Sequence, residues 1–184
     1  VKNGSAGAAN RVEKYQREVD AAPDSARCHL NLGTALFEAG RIPQAEQALR
    51  RAIELDPSLA RAHVNLGGIL LSRWDFRGCI EANRAAAESC PDMVEAHYNK
   101  GLGHLYLGEA EAMVTCFRRV LELDPRHPGG HYHLAVGLLA TGDVHGSRMH
   151  TAIATELGFA PQPDFLKALE KAGDGPVPVL EIGG

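Results

Sequence analysis

The sequence predicts an all-α solenoid of stacked helix pairs. Three observations carry that expectation. Histidine recurs at His29, His63, His97 and His131, each 34 residues after the last, and Pro23, Pro57, Pro91 and Pro125 keep the same interval. Asn31, Asn65 and Asn99 share it, as do Gly33, Gly67 and Gly101. Within an interval, apolar residues return at helical spacing, as in Leu32, Leu36, Ala45, Leu49 and Ala52. Several independent residue types on one period mark a repeat architecture.

The elements follow in order. Residues 1–9 are rich in Gly, Ala and Ser and read as a flexible linker. Residues 10–25 read as the second helix of a leading half repeat, centred on Val12–Ala21. Four full repeats are expected over 26–59, 60–93, 94–127 and 128–161. Each holds two helices joined at a glycine, Gly40, Gly108 or Gly142, a residue that reaches left-handed backbone angles without a steric penalty. Trp74 stands at that place in the second repeat, so its turn is expected to differ. Asp56-Pro57 and Asp124-Pro125 close repeats, because proline lacks a donor and biases its predecessor away from helix. Residues 162–172 predict a capping helix with Phe165, Leu166 and Leu169 on one side and Lys167, Glu170 and Lys171 on the other. Residues 173–184, with Pro176 and Pro178, read as an extended tail.

The order His29, Leu32-Gly33, Leu36, Ala45, Leu49, Ala52, Pro57 resembles the tetratricopeptide repeat family, in its bacterial form, over roughly residues 10–160. The resemblance implies a right-handed superhelix whose first helices line a concave groove. It also implies a non-catalytic protein–protein interaction module: an adaptor, scaffold or assembly factor that takes a peptide or helix. Carried onto this chain, the family's groove places give Arg27, Asn31, Phe37, Arg61, Asn65, Tyr98, Asn99, Tyr106, Tyr132 and His133. A row of amides offers donor and acceptor to any peptide backbone, and the tyrosines add apolar surface with polar tips. The chaperone-tail clamp of the family is incomplete, since Leu30 and Thr34 stand where lysine and asparagine belong.

Composition agrees with a binding role. The 184 residues are 45% hydrophobic and 23% charged, a globular balance. A net charge of −4 gives no basic field for phosphate backbones and argues against a nucleic-acid partner. No apolar run reaches the ~18 residues of a membrane span. No Ser/His/Asp set, phosphate loop or paired-carboxylate site stands out, so neither enzyme chemistry nor a cofactor is expected. Cys28, Cys79, Cys90 and Cys116 lack zinc or disulfide spacing and read as small hydrophobes of a reducing, cytoplasmic compartment. The first residue is Val1 rather than Met, which leaves open a leader or lipid anchor upstream, and with it a periplasmic or membrane-anchored place.

The nine histidines suggest no metal site: those spaced by 34 are too far apart to share an ion, and His131 and His133 point in different directions on a helix. Lys100, His104 and Asn83 replace apolar residues and are expected to bond one another, water or a partner. Trp74 beside Phe76 is a candidate second contact surface. Two alternatives to an adaptor are a permanent subunit of a larger complex and a homo-oligomer in which Val177–Ile182 enters a neighbour's groove.

Overall fold

A computed structural model describes residues 2–173, with side chains from residue 7 onward. Ten α-helices run in order: α1 Lys2–Ala21, α2 Ala26–Glu38, α3 Ile42–Leu55, α4 Ala60–Ser72, α5 Phe76–Ser89, α6 Val94–Tyr106, α7 Ala110–Leu123, α8 Pro128–Ala140, α9 Val144–Glu156 and α10 Pro163–Ala172. No strand occurs among the described residues. The chain is an all-α solenoid of helix–turn–helix repeats. It divides into an N-terminal unit ending at Met93 and a C-terminal unit starting at Val94.

In the N-terminal unit, α1 packs on α2, and the pairs α2/α3 and α4/α5 join through α3 and α4. The pairs close because the first helix of each carries a residue without a side chain. A Cβ on Gly33 would sit 2.8 Å from Leu49 Cγ, and one on Gly67 would strike the Asn83 amide. Leu49 and Asn83 are fully buried in consequence. In the C-terminal unit α6 packs on α7, α7 on α8, and α8 on α9. There a Cβ on Gly101 would lie 2.7 Å from Phe117 Cζ, and Phe117 is likewise fully buried. At these two places the fourth repeat has Ala135 and Thr151, a larger residue with a smaller one. Helix α10 packs on α9 and buries Phe165, Leu169 and Ala172 in one cluster with Tyr132, Ala135 and Leu139 of α8 and Ala154 of α9. Leu166, expected on that buried side, is 39% exposed.

The turn inside each repeat is a left-handed cap. Gly40, Gly108 and Gly142 have φ of +73°, +71° and +89°, and Trp74 takes the same region at +63°. The expectation that the Trp74 turn would differ is corrected by its hydrogen bonds. Asp75 N–H donates to Leu70 O at 2.9 Å, just as Arg41 N–H donates to Leu36 O at 2.9 Å beside Gly40. The turn is kept, and the side chain bears about 1–2 kcal/mol of steric cost. Glu46 of α3, only 14% exposed, takes both Arg50 and Arg73 and so holds the residue before Trp74.

The turn between repeats explains the histidines. His29 Nε2 donates to Pro23 O at 2.8 Å, His63 to Pro57 O at 2.9 Å and His131 to Pro125 O at 3.1 Å. Each carbonyl lies between helices and has no helical donor, and the ring from the next helix supplies one. In the last full repeat His127 also caps α8, its Nδ1 accepting from Gly130 N–H at 2.9 Å.

Two expectations are revised, and a third falls outside the described residues. Residues 2–9, expected as a flexible linker, continue α1: alanine favours helix, and Ala8 and Val12 on the same face are buried. Asn83 bonds neither Lys100 nor His104; its Nδ2 donates to Cys79 O at 2.8 Å. His104 Nδ1 instead meets Glu109 Oε2 at 2.6 Å. The tail from residue 174, including Val177–Ile182, lies outside the described residues.

The carbonyl oxygen of Asn83 is buried with no hydrogen-bond partner. Replacing a polar group left unsatisfied in a core by an apolar one of similar shape removes its desolvation cost. Asn83→Leu, the residue of the first repeat at this place, is expected to raise unfolding stability by about 1 kcal/mol. Gly67→Ala, which drives a methyl into the Asn83 amide, should lower it by about 1–3 kcal/mol. Urea titrations of both variants measure the two effects; a destabilised Asn83→Leu would show that the amide is satisfied.

Candidate partner-binding face

The first helices α2 and α4 of the N-terminal unit each bury one side and leave a polar row on another. Arg27 and Asn31 are four residues apart on α2, and Arg61 and Asn65 are four apart on α4, so each pair shares a helix face. Both arginines are exposed and both asparagines half-buried. Asn65 Nδ2 donates to Thr34 Oγ1 at 2.8 Å, and that hydroxyl donates to Leu30 O at 2.9 Å. One amide hydrogen of Asn65 is thereby committed to the neighbouring repeat, leaving its second hydrogen and its carbonyl oxygen. Neither Arg27 nor Arg61 has a carboxylate at ion-pair distance among the described residues. Phe37, at the far end of α2, is 38% exposed.

The C-terminal unit treats the equivalent places differently. Asn99 is half-buried and Tyr106 is 44% exposed. Tyr132, expected on the groove, is 6% exposed, stacked on Phe159 with ring centroids 4.5 Å apart and edge-on to Phe165 at 5.4 Å. His133 stacks on Phe117 at 5.1 Å, with Tyr98 and Tyr132 edge-on. Tyr98 also stands edge-on to Phe117 at 5.5 Å. These three are packing residues of an aromatic cluster, and the burial raises the Tyr98 and Tyr132 phenol pKa values. His133 Nδ1 is enclosed without a partner, and burial, with nearby His127, pulls its pKa from 6.5 to about 4.

Trp74 is 71% exposed and meets the ring of half-buried Phe76 edge-on at 5.9 Å. Two surface crevices that the sequence did not suggest repeat in the N-terminal unit. His29, Leu32 and Leu36 floor one of about 480 Å³, and His63, Leu66 and Leu70 floor its counterpart of about 540 Å³. Leucines on the 34-residue period were the available signal, but spacing alone assigns them to core. Among the described residues no group of three or more His, Cys, Asp or Glu is placed to hold a metal. No helix described is long and apolar enough to cross a membrane. Lys100 lies near buried Cys116, whose thiol pKa is raised by burial and opposed by that lysine's charge.

Comparison with known proteins decides the family. Residues 33–72 match a model described as a TPR repeat, and residues 94–127 match one described as a tetratricopeptide repeat. The chain is a tetratricopeptide repeat protein. Solved structures of such proteins share its fold. PilF of Pseudomonas aeruginosa aligns with a TM-score of 0.77 and 20% identity, over 91% of this chain and 80% of that one. YrrB, reported as a TPR protein with an unusual peptide-binding site, gives 0.74 and 17%, over 80% and 76%. MamA gives 0.73 and 19%, over 79% and 85%. Among curated proteins no sequence match is found. As a tetratricopeptide repeat protein the chain is a protein–protein interaction module, of a fold that generally serves as a non-catalytic scaffold.

The depressed His133 sets a pH dependence with a definite sign. The unfolded chain protonates this ring below about 6.5, whereas the folded chain keeps it neutral to about 4. The stabilisation is therefore complete above 6.5 and is lost as pH falls towards 4. His133→Phe is expected to lose about 2 kcal/mol less than the parent between pH 7.5 and 4.5. Denaturant unfolding at the two pH values checks this, and equal losses would place the ring in solvent.

Proposed function

We propose that the chain is an adaptor or assembly factor that takes an extended peptide, or one face of a helix, along the first helices of its repeats. The observation that carries this reading is the row Arg27, Asn31, Arg61 and Asn65, which stays polar and accessible while the opposite sides of α2 and α4 are buried. The Asn65–Thr34 bond supports it by fixing one amide's direction, so that its free donor and acceptor need little further ordering. Arg27 and Arg61 favour an occupant with acidic side chains at that end. YrrB, alike in fold, is reported with a peptide-binding site, which agrees with such a role.

Chemistry is not part of this reading. The crevices are open, whereas general catalysis needs groups held within hydrogen-bond reach of one reacting atom. Each amide contributes about 0.5–1.5 kcal/mol net to a bound backbone. Asn31, Asn65 and Asn99 together account for modest affinity, and the rest must come from side chains of the partner.

The test is affinity capture with the parent and with an Asn31→Ala/Asn65→Ala/Asn99→Ala variant of unchanged helical content. Loss of three such bonds should cut recovery of a specific partner roughly tenfold or more. Unchanged recovery would disprove the amide row as the contact. Arg27→Gln/Arg61→Gln should in turn weaken capture more at low than at high salt.

A further inference from the structure

Two histidines outside the partner-binding face meet in a way no other repeat can reproduce. His131, near the start of α8, is 6% exposed; His150, on α9, is half-buried. Their Nδ1 atoms are 2.8 Å apart. The ring centroids are 5.1 Å apart, about the nitrogen separation plus two ring radii, so the nitrogens meet head-on. The place of His150 is held by Ala48, Ala82 and Cys116 in the three preceding repeats.

The backbone decides who donates. Pro125 O only accepts, so His131 Nε2, 3.1 Å away, carries a hydrogen. In a neutral His131 the Nδ1 is then a lone pair, and the hydrogen between the rings belongs to His150 Nδ1. This leaves His150 Nε2 as the open basic site, with no protein partner among the described residues. We propose that His131 and His150 form a proton-controlled latch that holds α9 on α8 near neutral pH and releases it in acid.

The proton count gives the latch its threshold. A first added proton goes to Nε2 of His150, the one open lone pair of the couple; a single hydrogen still joins the two Nδ1 atoms, whichever ring holds the charge, so the bond survives. With a second proton both Nδ1 atoms carry hydrogen. That removes the acceptor and sets two cations nose to nose, so the rings must part. Arg118 of α7 adds a like charge, Asp143 in the turn before α9 adds an opposing one, and α10 adds none. Burial, then His131, then Arg118 hold the His150 pKa below the ordinary histidine range, with Asp143 acting against them. The bond contributes to stability above that range and is lost as pH falls well below it.

What opens is local. The nearby Ser147 Oγ donates to Ala135 O at 2.8 Å and ties the same two helices further along. Loss of the histidine pair therefore frees the outer turns of α9 and loosens the seat of α10, whose Phe165 and Leu169 pack with Ala154 of α9. Helices α9 and α10 would expose apolar surface in acid while α2–α5 stay closed.

Long-range proton–nitrogen spectra of the full chain at pH 7.5 test the starting state. His131 should appear as the Nε2–H tautomer and His150 as the Nδ1–H tautomer. Amide exchange, corrected for intrinsic rates, should then show protection in α9 and α10 falling at least tenfold more than in α2–α4 between pH 7.0 and 4.5. In His150→Ala that extra step should vanish, although His133 titrates in both proteins. An Nε2–H tautomer for His150, or an equal step in the variant, overturns the proposal. Should His150→Ala not fold, the tautomers and the exchange step of the parent still decide it.

Discussion

Everything in this molecule depends on how closely the two helices of a repeat approach. Gly33, Gly67 and Gly101 remove a side chain where the partner helix crosses, and Leu49, Asn83 and Phe117 fill the space. That contact seals one side of each first helix in the core. The other side is thereby left to solvent, so the polar row on α2 and α4 is a by-product of packing. The three filling residues differ in chemistry, and the second repeat is the poorest filled, since an amide replaces hydrocarbon there. A repeat fold tolerates this because each repeat leans only on its neighbours.

The surface charge is largely used up within the helices. Arg50 meets Glu46, Arg51 meets Glu54, and Arg84 meets both Glu81 and Glu88 within a turn. Pairs exposed on both sides stabilise little, but they also neutralise the field a partner would feel. Among the described residues, Arg27 and Arg61 have no such carboxylate beside them, and neither do the exposed Arg77, Arg118, Arg126 and Arg148.

The period made most of the fold legible. His, Pro, Asn and Gly at one interval placed the helix pairs and their turns, because each of those residues answers a local backbone demand. The sequence was less informative where the answer depended on distant neighbours. Tyr132 and His133 hold groove places by register, yet Phe159 and Phe165, which come after the last periodic helix, cover Tyr132, and Phe117 takes His133. The histidines read as packing residues, whereas their hydrogen bonds to Pro23, Pro57 and Pro125 make them fasteners. Residues 2–9 looked like a linker from composition, but alanines that can fray alone extend a helix already seated at Val12 and Val19. Trp74 shows the opposite error: local sterics predicted a changed turn, and the two packed helices imposed the old one.

The histidine–proline fastener has a consequence for how the chain assembles. Its ring and its carbonyl are six residues apart, so the loop it closes is short enough to form in well under a microsecond. No distant segment has to arrive first. Each joint between neighbouring helix pairs can set its own angle early, and growth can start from any of them and spread in both directions. Adding or deleting a whole 34-residue module leaves every such joint intact, whereas a one-residue slip inside a joint breaks it. Descent by duplication is therefore an easy path for this architecture.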